Sequence, residues 1–189
     1  PVRVSEDLHQ WRRMAPVFPE LPRWAREKVP DASSFWAPDI SFRDGKYWLY
    51  YSTSTLGSRR SVIGLATNPT LDPADPDFRW KDEGLVWETC ETDDYNAIDP
   101  NAVETPDGNL YLVFGSFWTG IKLVALDRTT GKPQPGAELQ PIASRPGPDA
   151  IEGAGIVRRG EHYYLFCSHD FTGRGIESTY KIVVGRARA

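Results

Sequence analysis

An all-β fold is predicted by three features of the sequence. Aromatic residues are dense, with seven Trp, eight Tyr and eight Phe in 189 residues, and such side chains fit the pleated, half-buried surface of a strand. Sixteen Gly and sixteen Pro are spread along the chain, which favours many turns and few long helices. The third feature is a repeat. An acid, a Gly-bearing turn and an aromatic strand ending in serine recur three times in the same order.

Taken in order, the first thirty residues read as a connection. Val2-Arg3-Val4 alternates like the end of a strand, and Asp7 to Trp11 reads as a short turn. Pro16, Pro19, Pro22 and Pro30 forbid regular structure for long, so Trp24 to Glu27 is expected to make one helical turn at most. The first pass opens with a strand over Trp36 to Phe42. Arg43-Asp44-Gly45-Lys46 is its hairpin turn and Tyr47 to Ser52 its partner, with Ser61 to Ala66 as a third strand. The second pass is Asp99 to Val103, a turn at Pro106 to Asn109, Tyr111 to Ser116, and Gly120 to Leu126. The third is Glu152 to Val157, a turn at Arg158 to Glu161, Tyr163 to Ser168, and Tyr180 to Gly185.

Within each pass a tyrosine (Tyr47, Tyr111, Tyr163) stands five residues before the closing serine. Those serines, Ser52, Ser116 and Ser168, lie 64 and 52 residues apart. A period of roughly 50 residues carrying three or four short antiparallel strands is the signature of a β-propeller blade. The expected organisation is one domain. It has a tail of a preceding blade and a connection over 1–30, then successive blades over 31–90, 91–145 and 146–189. Propellers close with roughly four to eight blades, so about three would leave two flanks open, and the sequence is expected to be cut at both ends.

Composition narrows the partners. A net charge of −4 with no long basic run gives no footprint for a nucleic-acid backbone. No stretch is apolar over the length that spans a bilayer, and no signal peptide is visible. Three His and two Cys lack the spacing of a metal site. Cys167 sits in the apolar run Tyr163 to Cys167 and reads as a small buried hydrophobe; Cys90 lies in a polar loop.

The acids are where chemistry enters. Asp99, in Asn96-Ala97-Ile98-Asp99-Pro100, would alone be an ordinary turn residue. Its recurrence as Asp39 in Trp36-Ala37-Pro38-Asp39 and as Glu152 in Ile151-Glu152-Gly153 makes it one of three equivalent positions. With Gly115 to Ile121 and Ser178 to Arg186, these motifs resemble glycoside hydrolase family 43, most closely its arabinan endo-1,5-α-L-arabinosidase branch. The resemblance implies a five-bladed β-propeller and an inverting glycosidase that uses three acids. Glu152 matches the general acid and Asp99 the residue that tunes and orients it. Asp39 belongs to a second-blade motif and is expected to be structural or supporting. The first-blade Asp that should act as base has no match here, nor has the axial histidine of the fifth blade. Hydrolysis by this chain alone is therefore expected to be impaired. Phe171-Thr172-Gly173 replaces a family cysteine pair, and Ala154 a common proline.

An inverting mechanism needs one protonated carboxyl and one ionised carboxylate on opposite sides of the sugar, and a neighbouring carboxylate raises an acid's proton affinity by like-charge repulsion. Phe35, Trp36, Asn96, Ser116 and Trp118 flank the acids and are the candidate sugar contacts, with plain core packing the competing reading. The implied partner is an oligo- or polysaccharide, with neither nucleic acid nor membrane. Self-association through open blade edges is a further expectation. No cofactor is implied, beyond an axial cation that the complete family fold can carry. The substrate class places the protein outside the cell or in the periplasm. Xylan or arabinoxylan oligosaccharides remain an alternative substrate, and a non-catalytic sugar-binding or interaction propeller an alternative role.

Overall fold

A computed structural model describes residues 2–147 and 149–188, so residue 1 of the expected range 1–30, and residues 148 and 189 of the expected range 146–189, lie outside it. Strands β1 (Arg3–Val4) and β2 (Arg12–Arg13) form a small ribbon, followed by helix α1 (Arg23–Lys28). Three antiparallel sheets come next. The first contains β3 (Trp36–Arg43), β4 (Lys46–Ser54), β5 (Ser61–Asn68) and β6 (Lys81–Thr89). The second contains β7 (Asn101–Glu104), β8 (Leu110–Phe114), β9 (Ile121–Leu126) and β10 (Gln140–Ala143). The third contains β11 (Ile151–Arg159), β12 (His162–His169) and β13 (Lys181–Arg188). Every strand pairs with its neighbour in sequence, the meander of a propeller blade.

Period-two alternation lets each sheet face two neighbours. In β4, Trp48 and Tyr50 point toward the second sheet, while Leu49 and Tyr51 face Val17, Phe18 and Trp24 of the N-terminal connection. In β8, Leu110, Leu112 and Phe114 meet the first sheet and Val113 meets the third. The first two sheets thus share one apolar seam, and the second and third share another around Ile121, Ile151 and Cys167. Gly64 and Gly131 are among the glycines that close approach requires. A Cβ on Gly64 would stand 2.4 Å from the Tyr51 ring, and one on Gly131 would stand 2.1 Å from the Trp48 ring.

Helix α1 is longer than the single turn expected. Pro22 precedes it, where a missing N–H breaks no helical bond, and its carbonyl accepts from Ala25 and Arg26 N. Ala25 and Val29 then pack on Val62 of β5. Packing rather than propensity holds so short a helix.

Polar side chains join the first strands of successive sheets. The Asp39 carboxylate accepts from Ala102 N (2.9 Å) and Asn101 Nδ2 (3.3 Å). Asn101 Oδ1 in turn accepts from Ile156 N at 2.9 Å. The bonds run from β3 to β7 and from β7 to β11. This places the three first strands side by side along one line.

Candidate active site

Antiparallel pairing sets the start of each first strand against the end of the second. Trp36 faces Ser52, Asn101 faces Val113, and Glu152 faces Ser168. All three acid-bearing segments therefore reach the same end of the molecule. Register shifts between Trp36 and Asp39, and between Glu152 and Gly155, are the irregularities that re-aim a side chain.

Asp99 lies just before β7, which begins at Asn101 rather than at Asp99 as its apolar run suggested. Its φ of 56° is left-handed, a conformation that Asp tolerates better than most residues. There its Oδ2 accepts from Gly153 N at 3.1 Å, directly after Glu152. Burial raises the Asp99 carboxyl to about 6; the Gly153 hydrogen bond pulls it down, and the Glu152 charge adds to the rise. Glu152 is held at both oxygens. Ser116 Oγ donates to Oε2 at 2.9 Å and the Tyr180 hydroxyl to Oε1 at 2.8 Å.

Ser116 is itself fixed between the two acids. Gly115 N donates to Ile98 O, Ser116 N to Asn96 Oδ1, and Phe117 N to Ile151 O, each at 2.8 Å. Gly115 has a φ of 114°, and a Cβ there would stand 2.6 Å from Gly120 O. Glycine is therefore required at this position. The recurring serines thus do different things: Ser52 bonds the Trp36 carbonyl within its own sheet, whereas Ser116 reaches the acid of the next.

The expected sugar contacts divide. Asn96 is buried and its Oδ1 braces the Ser116 turn. Phe35 packs edge-on against Tyr51 and near Phe18, and Trp36 is half-buried at the start of β3. Trp118 follows Phe117 in a left-handed turn and lies under the Arg59 guanidinium, 5.9 Å from the ring centre. The structure brings Asp99, Glu152 and Ser116 together. It holds Asp39 to one side, with both oxygens bonded to the second sheet.

Tyr180 was not among the residues singled out. Its signal was its place beside a hairpin whose other arm carries Ser168, opposite Glu152. Among the described residues no group of three His, Cys, Asp or Glu is disposed to hold a metal. Both cysteines are free, and burial pushes the Cys167 thiol up to about 11.

A family model described as Glycosyl hydrolases family 43 matches residues 1–189. The chain belongs to glycosyl hydrolase family 43. The Extracellular endo-alpha-(1->5)-L-arabinanase 1 of Bacillus subtilis (strain 168) is 42% identical over 190 residues, which cover 100% of this chain and 57% of that protein. Among solved structures, an exo-1,5-alpha-L-arabinanase from a bovine ruminal metagenomic library superposes with a TM-score of 0.92 at 44% identity. It covers 98% of this chain and 62% of its own. A Cellvibrio cellulosa alpha-L-arabinanase complexed with arabinohexaose gives a TM-score of 0.91 at 38% identity, over 98% and 62%. These family 43 neighbours are five-bladed β-propellers, and the three sheets here form part of such a ring. The chain spans about three-fifths of the length of the relatives it matches.

Proposed function

We propose that this family 43 chain carries the acid half of an inverting glycosidase site acting on α-1,5-linked arabinan, with Glu152 as general acid and Asp99 as the residue that tunes it. The observation that carries this reading is the junction of the two carboxylates through Gly153. The Glu152 charge adds to the rise of the Asp99 carboxyl, so the two groups stand close enough for the charge on one to act on the other. Trp118, Trp36 and Phe35 are the candidate faces for the sugar rings. The relatives named arabinanases, one bound to arabinohexaose, support the substrate, and a relative named extracellular supports secretion.

Water activation falls to another carboxylate. Asp39 is committed to Ala102 and Asn101, and Asp170 to Arg145 and Lys181. We therefore expect slow hydrolysis by residues 1–189 alone. The test is release of arabino-oligosaccharides from linear arabinan, with the anomer first formed read by proton NMR. A trace of inverted product is expected. Rapid release, retained configuration, or preference for xylan would each overturn a part of the reading.

A second proposal concerns partners. Val157, Phe166, Ile182 and Val184 are exposed and share one face of the third sheet, since Phe166 pairs directly with Val184. An apolar sheet face of this kind favours association. Sedimentation velocity across a concentration series should show reversible oligomers, weakened by Phe166→Glu; a strict monomer at all concentrations would refute it.

A further inference from the structure

We propose that Tyr180 is a positioning residue for the Glu152 carboxyl, fixing Oε1 and stabilising the carboxylate that remains once the proton has left. The inference rests on the general-acid reading of Glu152. It adds a residue from the segment leading into β13 and gives it a role of its own.

The geometry is specific. Tyr180 stands one residue before β13, and both of its neighbours are tied. Thr179 N donates to Phe171 O at 3.0 Å, and Lys181 Nζ lies 2.7 Å from Asp170 Oδ2. The Asp170 carboxylate also binds Arg145, whose guanidinium reaches the Ala150 carbonyl just before β11. The backbone that carries Tyr180 is therefore anchored to the backbone that carries Glu152. Its hydroxyl lands 2.8 Å from Oε1, while Ser116 occupies Oε2.

The hydroxyl is suited to donate and to keep its proton. Burial raises it above the ordinary phenol value; a hydrogen bond from Ser168 lowers it, and the bond to Glu152 with the charges of Glu152 and Asp99 raise it again. The titratable groups facing the Glu152 carboxyl are thus Asp99 and Tyr180. The charged groups on the neighbouring strand ends, Arg145, Asp170 and Lys181, are paired with one another, and His169 lies beside them.

In the proposed step the Glu152 O–H bond breaks as its proton passes to the glycosidic oxygen. The bond from that oxygen to the anomeric carbon breaks with its electron pair going to the oxygen. Water then bonds to the carbon and gives its proton to the base carboxylate. Negative charge appears on Glu152 only as the proton leaves. A donor aimed at that oxygen is therefore worth more in the transition state than in the bound substrate. Tyr180 transfers no proton.

The test uses the 1–189 chain labelled with carboxyl-13C glutamate, the Glu152 signal being assigned by its loss in Glu152→Gln. Tyr180→Phe should raise the Glu152 titration midpoint by about one pH unit, the equivalent of a tenfold change in proton affinity. Where hydrolysis is measurable, kcat should fall about tenfold with KM little changed. Should Tyr180→Phe fail to fold, 3-fluorotyrosine at position 180, a more acidic donor, should move the midpoint the opposite way. A purely structural role for the ring predicts no such reversal. An unmoved midpoint in folded Tyr180→Phe, or in the fluorotyrosine chain, overturns the proposal whatever the hydrolysis assay gives. A moved midpoint in a chain that attacks no glycoside would instead remove the proposed function and leave Tyr180's hold on Glu152 standing.

Discussion

Replacing Asp99 with asparagine is expected to stabilise the chain at neutral pH by about 3 kcal/mol while lowering hydrolysis about a hundredfold. Folding raises the Asp99 carboxyl from 3.8 to about 6, so the folded state binds its proton more tightly than the unfolded state does. Above about pH 6 the group is ionised in both states and the folded one bears the full cost. Below about pH 4 it is protonated in both and the cost disappears. The stability difference between Asp99→Asn and the parent should therefore be complete at pH 7 and fade as the pH falls through that window. Asparagine keeps an acceptor for Gly153 N and tolerates the left-handed backbone, so little else changes. Urea denaturation of both chains at pH 4, 5, 6 and 7 measures it. A difference that does not vary with pH would show that the Asp99 charge is not the cause.

Glu152→Gln is expected to give the largest loss of activity, on the order of a thousandfold, within the range that general acid catalysis supplies. Glutamine matches the shape and can still accept from Ser116 or Tyr180, but it has no proton to give. The loss should therefore depend on the leaving group. It should be large for arabino-oligosaccharides, whose departing alkoxide needs a proton, and much smaller for a 4-nitrophenyl arabinofuranoside, whose phenolate leaves unaided. Equal losses on both substrates would argue for a positional role instead. Oligosaccharide affinity, followed by tryptophan fluorescence, should change little.

Much of the fold was legible because local and tertiary demands agree. Tyr47 to Ser52 and Tyr111 to Ser116 are aromatic and aliphatic runs beside glycine turns; the first lies within β4, and the second forms β8 as far as Phe114, Gly115 and Ser116 turning out of the strand, with most of both strands buried. Two outer strands were not singled out. β6 begins Lys81-Asp82-Glu83, a charged run that becomes a strand by pairing with β5 rather than by burial. β10 contains Pro141, which an edge strand accommodates. In the site, Asp99 and Glu152 were visible as motifs because each stands in a local pattern. Tyr180 was hidden: it lies 28 residues from Glu152, and only the hairpin of β12 and β13 closes that distance. Asn96 was visible as a polar residue near an acid, but its use as a buried brace depends on a turn twenty residues away.

The bonds from Asp39 to Ala102 and from Asn101 to Ile156 bear on how freely such proteins can be recombined. Repeat architecture invites the exchange of whole blades between homologues. Here, however, each first strand supplies the acceptor for an amide on the next, so the unit of exchange is a seam rather than a sheet. A donor blade lacking the matching side chain would leave an amide without a partner, costing about 1–3 kcal/mol at each junction. Chimaeras cut so that Asp39 stays with Ala102, and Asn101 with Ile156, should fold where cuts at the visible blade boundaries do not.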